Sequence, residues 1–207
     1  MAEDEPVFEP STGPPRIITA ASLFDGHDAA INVMRRLIQS SGAEVIHLGH
    51  DQSAKAVVDC VIQEDAHGVA LTSYQGGHVE YFTYIRQLLD EGGCQHNRIF
   101  GGGGGTITPP QIKTLHESGI TIIYSPDDGR AMGLMGMIHH LMGLASEVDL
   151  VNPERLATLN SPITAEEMAR VGLLLTMSES ADDATFKATL ETCRSSDKEV
   201  PVIGFTG

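Results

Sequence analysis

Three short stretches of this 207-residue chain combine residue types that do chemistry. The first is Phe24-Asp25-Gly26-His27-Asp28. An imidazole beside a flexible glycine can be offered to a metal, and a carboxylate on its other ring nitrogen fixes the tautomer and raises ligand basicity. The same residues also fit a plain helix start, with Asp28 as cap and His27 idle in solvent. The second stretch is Ser73-Tyr74-Gln75-Gly76-Gly77-His78. Its hydroxyl and amide groups suit a buried ligand heteroatom, or equally a polar turn. The third is Gly101 to Gly105, five glycines in a row. Such a run is costly in chain entropy and makes sense where something bulky lies against bare main chain. It is not a dinucleotide fingerprint, because G-x-G-x-x-G from Gly101 needs glycine where Thr106 stands. It is not a phosphate-binding P-loop either, because no Gly-Lys-Ser/Thr follows it.

The elements that must position these stretches follow from hydrophobic period and stop signals. Short apolar runs at 16–23, 44–48, 68–73, 98–100 and 120–124 read as strands. Between them, 28–40, 53–64, 79–91, 109–118 and 130–142 read as helices. Ile31, Met34, Leu37 and Ile38 share one face of the first helix, and Ala56, Val57, Cys60 and Val61 one face of the second. Ser53 caps the second helix, and Pro109 opens the fourth after Thr108. Five strands alternating with five helices predict an α/β fold. It is a flavodoxin-like (Rossmann-like), doubly wound, five-stranded parallel sheet, followed by a helical linker. In that fold the strand-to-helix loops lie along one edge, where ligands bind, and all three stretches fall in such loops. Together they suggest a large flat cofactor with a metal and a buried tail.

Thirteen Lys and Arg against 28 Asp and Glu leave a net charge of −15, which excludes phosphate backbones and anionic membrane surfaces as partners. No apolar run reaches the roughly 18 residues of a membrane span. The acidic start lacks a signal-peptide pattern, and Cys60, Cys94 and Cys193 suit reduced thiols, so a cytoplasmic location is expected. Residues 1–15 read as a disordered leader and 145–199 as an acidic helical linker with helices at 165–177 and 183–194. Among the remaining histidines, His47 and His50 could face a bound ring and His78 its upper side. His67, His96, His116, His139 and His140 are expected at the surface.

The three stretches resemble the cobalamin-binding domain of adenosylcobalamin-dependent mutases and of methionine synthase, whose motif runs D-x-H-x-x-G, S-x-L, then a Gly-Gly pair. Asp25-Gly26-His27 matches its start, with Ala30 in place of the closing glycine. Ser73 matches the serine, with Gln75 in place of leucine, and the glycine pair falls within 101–105. The wording LFDGHDAAIN, SYQGGHVEYF and GGGGGTI is similar to the fused isobutyryl-CoA mutases. The resemblance covers about residues 16 to 142, so 16–144 is expected to be the cobalamin domain. VPVIGFTG resembles the opening of a P-loop GTPase domain, so 200–207 reads as the start of one, cut short. The resemblance implies adenosylcobalamin bound with its own base displaced, His27 as the lower cobalt ligand, and Asp25 hydrogen-bonded to that imidazole. It implies Ser73 on the displaced base, Gly101, Gly102, Gly103 and Gly104 lining its slot, and Tyr124, Ser125 and Pro126 as the far wall. Gly26, Asp28, Tyr74, Gln75 and Gly76 complete the expected cofactor-binding set, and no catalytic residue is expected in this chain. The implied enzyme is a radical acyl-CoA mutase of isobutyryl-CoA or methylmalonyl-CoA type. Its acyl-CoA barrel and GTPase chaperone lie outside the chain, and a homodimer forms in the full protein. A stand-alone cobalamin carrier or sensor, and a flavin- or nucleotide-binding domain, are the competing readings.

Overall fold

The computed structural model describes residues 13–194. The acidic leader up to residue 12 and the VPVIGFTG segment lie outside the described residues. The chain alternates β1 (Arg16–Ser22), α1 (Asp28–Ser40), β2 (Glu44–Gln52), α2 (Ala54–Gln63), β3 (Gly68–Thr72), α3 (His78–Glu91), β4 (Arg98–Gly102), α4 (Pro109–Glu117), β5 (Ile122–Tyr124) and α5 (Pro126–Ser146). The sheet is parallel throughout, in the order β2-β1-β3-β4-β5, so the order reverses between β1 and β3. This is the doubly wound architecture expected from the alternating pattern.

Side chains alternate across the sheet and divide the core in two. Ile18, Val69, Leu71, Ile99 and Ile123 face one way and pack with Val57, Phe82, Ile85 and Leu115 of α2, α3 and α4. Ile17, Ala70 and Phe100 face the other way, onto Ile38 of α1 and Ile138, Leu141 and Met142 of α5. The buried stripe of α2 is Ala54, Val57, Val58 and Val61, not the predicted set with Ala56 and Cys60, which are half-buried. α5 starts at Pro126, four residues before the expected Arg130, because Ser125 and Asp128 form a capping box with proline at the first helical position. It breaks at Gly133, whose φ of 68° and ψ of 174° are open only to glycine.

Beyond α5 come α6 (Pro153–Leu156), α7 (Met168–Ser180) and α8 (Asp183–Cys193). The segment expected to be a connector is seated on the domain. Gly172 of α7 packs so closely on α2 that a methyl group there would come within 2.9 Å of the Ile62 carbonyl oxygen. The buried Asp65 carboxylate pairs with Arg155 and accepts from the Thr176 hydroxyl at 2.8 Å. Arg16 also reaches Glu179 at 3.0 Å. His67, expected at the surface, is buried beside this cluster, and its Nδ1 accepts from the Arg16 amide at 3.0 Å. Burial, aided by the Arg16 guanidinium, lowers its pKa to about 4. The half-buried His96 is lowered to about 4 as well, by burial and then by Arg155.

Candidate functional site

The loop after β1 carries the first site residue into a covered position. Asp25 is 0% exposed. Its Oδ1 accepts from the His27 amide at 2.9 Å and from His27 Nδ1–H at 2.8 Å, and its Oδ2 accepts from the Tyr74 amide at 2.6 Å. Burial pushes the Asp25 carboxyl up, but the Tyr74 and His27 donors outweigh it and hold the group below the usual carboxylate range. The imidazole is thereby fixed with Nδ1 as donor, which leaves Nε2 as the free lone pair. The His27 side chain is 68% exposed, and its ring sits 5.3 Å from that of Tyr74. Asp28 does not cap α1. The N-cap is His27, without a side-chain cap bond, and Asp28 is the first helical residue.

A cavity of about 580 Å³ opens beside this loop, between α1, the ends of β3 and β4, and α5. Ala29, Ala30, Val33 and Met34 form its α1 wall, and Leu134 and Met137 its α5 wall. Gly101, Gly102, Gly103 and Gly104 line it, and so do Tyr124, Ser125 and Pro126. The glycines have different reasons. A Cβ at Gly101 would lie 2.6 Å from Phe82 and Ile123, on the α3 face of the sheet, so this glycine serves the core and not the cavity. A Cβ at Gly103 would come within 1.9 Å of the Ser73 carbonyl oxygen, and Gly104 has a φ of +58°. Gly102 alternates onto the cavity side of the strand, where only the Tyr124 carbonyl oxygen is near.

Not every expected residue arrives at the cavity. Ser73 is buried, but its Oγ accepts from Ser22 Oγ at 2.9 Å, and it does not line the cavity. Thr72, outside the expected set, does line it, and its Oγ1 is buried with no hydrogen-bond partner among the described residues. The reason is the period of two: Thr72 follows Ala70 onto the α1–α5 face, and Ser73 turns the other way. Gln75 points away from the cavity and donates to the Phe24 carbonyl oxygen. Gly26 and Gly76 have open space where a Cβ would stand and only shape their loops. His78 is buried, with Nδ1 bonded to the Gln75 carbonyl oxygen at 2.9 Å and Nε2 without a hydrogen-bond partner among the described residues. His47 pairs with Thr19 Oγ1 at 2.9 Å within the sheet.

This geometry can do two things at once. It offers a fixed imidazole lone pair at the sheet edge, and beside it an apolar slot lined in part by Thr72, whose orphaned hydroxyl lies just behind the slot's surface. Residues 15–131 match the model of the B12-binding domain family. The chain belongs to that family. Fused isobutyryl-CoA mutase of Geobacillus kaustophilus is 46% identical over 199 residues, covering 93% of this chain and 18% of the relative. The same enzyme of Cupriavidus metallidurans is 45% identical over 209 residues, covering 100% of this chain and 19% of the relative. The chain therefore spans less than one fifth of these relatives. A cobalamin-binding protein from Desulfitobacterium hafniense shares the fold with a TM-score of 0.52 and 20% identity, over 63% of this chain and 58% of that one. The expected cofactor, adenosylcobalamin, agrees with this membership. The residues present fit it: the slot is apolar and roomy, Thr72 in its lining carries an unpaired hydroxyl, and His27, whose ring lies 5.3 Å from that of the lining residue Tyr74, has a free nitrogen. No helix among the described residues is long and apolar enough to cross a membrane.

Proposed function

We propose that this chain binds adenosylcobalamin with its lower base displaced, as the cofactor module of an acyl-CoA mutase of isobutyryl-CoA or methylmalonyl-CoA type. His27 Nε2, the nitrogen left free by Asp25, would hold the cobalt. Asp25 holds the imidazole in the required tautomer, and the three donors on its carboxylate keep it ionised. Thr72 Oγ1, turned about χ1 from its buried position, would donate to the ring nitrogen of a displaced base held in the slot. Gly102 leaves the wall open to it, and Tyr124 closes the far end, steadied by a 3.2 Å contact with His140 Nδ1. When bound, the cofactor supplies a weak cobalt–carbon bond and hence radical chemistry; the protein supplies position. The acyl-CoA barrel and a P-loop GTPase chaperone belong to the remainder of the protein, which is a homodimer, and this chain alone binds cofactor without turnover. Its three free thiols suit the cytoplasm.

The observation that carries this reading is the pairing of an exposed imidazole, clamped by a fully covered carboxylate, with an apolar slot lined by Thr72, whose hydroxyl has no partner among the described residues. The test is the absorption spectrum of the chain with adenosylcobalamin. The expected result is the base-displaced, histidine-ligated form in the wild type and its loss in His27→Ala. A bound corrin that keeps its own base on cobalt in the wild type refutes the reading.

A further inference from the structure

The most exposed large apolar side chain among the described residues is Phe24, at 76%. It is also held in a conformation that a bulky aromatic avoids. Its φ is 63°, in the left-handed region, where a side chain other than glycine is strained. Such a residue persists only when its surroundings over-determine it. Here they do. The Phe24 amide donates to Asp51 Oδ1 at 2.6 Å, and the Phe24 carbonyl oxygen accepts from the Gln75 side-chain amide. Asp51 is itself in the left-handed region, with φ 57°, and the Gln75 backbone is pinned through its carbonyl by His78. The loop after β1, the end of β2 and the loop after β3 thus converge on one residue.

The turn does not need phenylalanine. Glycine would take the same φ at no steric cost, and a glycine is already spent two residues on, at Gly26, where φ is not positive. What phenylalanine adds is a ring, presented to solvent at the ligand edge of the sheet. Phe24 lies three peptide units from His27, at most about 11 Å along the chain. A flat macrocycle held by the His27 nitrogen would spread sideways from it, within reach of an exposed side chain three residues away. Tyr74 occupies a different position, between His27 and the slot.

We propose that Phe24 is a contact residue for the rim of the corrin ring, and that Asp51 and Gln75 are positioning residues that hold it out. The proposal rests on the cobalamin reading above. It also accounts for Gln75, which stands where the motif of the family has leucine: the amide secures Phe24 and does not touch the base.

The test is equilibrium titration of the 207-residue chain with adenosylcobalamin, with Kd and spectrum both read. Phe24→Ala is expected to raise Kd about tenfold, the scale of losing a buried aromatic contact, while the histidine-ligated spectrum stays. Gln75→Leu is expected to raise Kd in the wild type but to add little in the Phe24→Ala background, because it acts through Phe24. Phe24→Gly covers the case in which the alanine variant folds poorly. It relieves the backbone, so its Tm is expected to rise by roughly 2–4 °C while its Kd rises as for alanine. An unchanged Kd in Phe24→Ala or Phe24→Gly overturns the proposal while leaving the cobalamin reading intact. Wild-type chain that fails to bind overturns that reading, and this proposal with it.

Discussion

Thr72→Val separates what the slot costs the free protein from what it gives the bound one. Thr72 is 7% exposed and its Oγ1 is sealed from solvent without a partner among the described residues. A hydroxyl buried in that way costs about 1–3 kcal/mol. Valine has nearly the same shape and no hydroxyl to leave unpaired. The free chain is therefore expected to gain about 1 kcal/mol, which raises Tm by roughly 2–4 °C for a chain of this size. With cobalamin bound the sign reverses. On the proposed reading the variant would lose one hydrogen bond and leave the base nitrogen unpaired in an apolar slot, together about 2 kcal/mol, or roughly 30-fold in Kd. Thermal melts of the free chain and titration with adenosylcobalamin measure the two halves. Thr72→Ser keeps the hydroxyl and should stay within a few-fold of wild-type affinity. Ser73→Ala should give the opposite pattern, a lower Tm from the broken Ser22–Ser73 bond with affinity unchanged. A lowered Tm for Thr72→Val, or an unchanged Kd, would show that the hydroxyl neither waits for a ligand nor meets one.

The glycine run should respond unevenly. Gly103→Ala drives a methyl group to 1.9 Å from the Ser73 carbonyl oxygen and is expected to cost about 3 kcal/mol in denaturant unfolding, whereas Gly105→Ala, with open space around it, should stay within about 0.5 kcal/mol. Arg155→Met leaves the Asp65 carboxylate buried without its partner, and an expected loss of about 3–5 kcal/mol would confirm that α6 and α7 are part of the folded unit. Acid should unfold the chain early. His67 titrates near 4 when folded and near 6.5 when unfolded, so the unfolded chain takes the proton first. Its contribution is complete above about pH 6.5 and is lost as pH falls toward 4, up to about 3 kcal/mol. His67→Gln should flatten that limb of the pH–stability curve.

The fold class, the alternation of elements and the three loops at one sheet edge are all legible in the order of the residues. Hydrophobic period and helix stop signals are local, and they are strong here because each strand contains a short apolar run, such as Ile17-Ile18 in β1, Val69-Ala70-Leu71 in β3 and Ile122-Ile123 in β5. Asp25 and His27 are legible for the same reason: two residues apart in one loop, they need no distant partner to find each other. Which way each side chain points is settled only in the folded molecule. Ser73 and Thr72 are adjacent in sequence, but the strand sends them to opposite faces, and only the packing of α1 and α5 over one face makes Thr72 the slot residue. Gly101 and Gly102 divide in the same way, one making room for Phe82 and the other keeping the slot open. Phe24 and Gln75, 51 positions apart, meet only because β1 and β3 are neighbours. Asp65, His67, Arg155 and Thr176 come from segments that read as surface and linker, and no local pattern announces a buried charge whose partner lies 90 residues away. Period and capping are properties of consecutive residues; pairing across the sheet and between layers is decided by the packed chain as a whole.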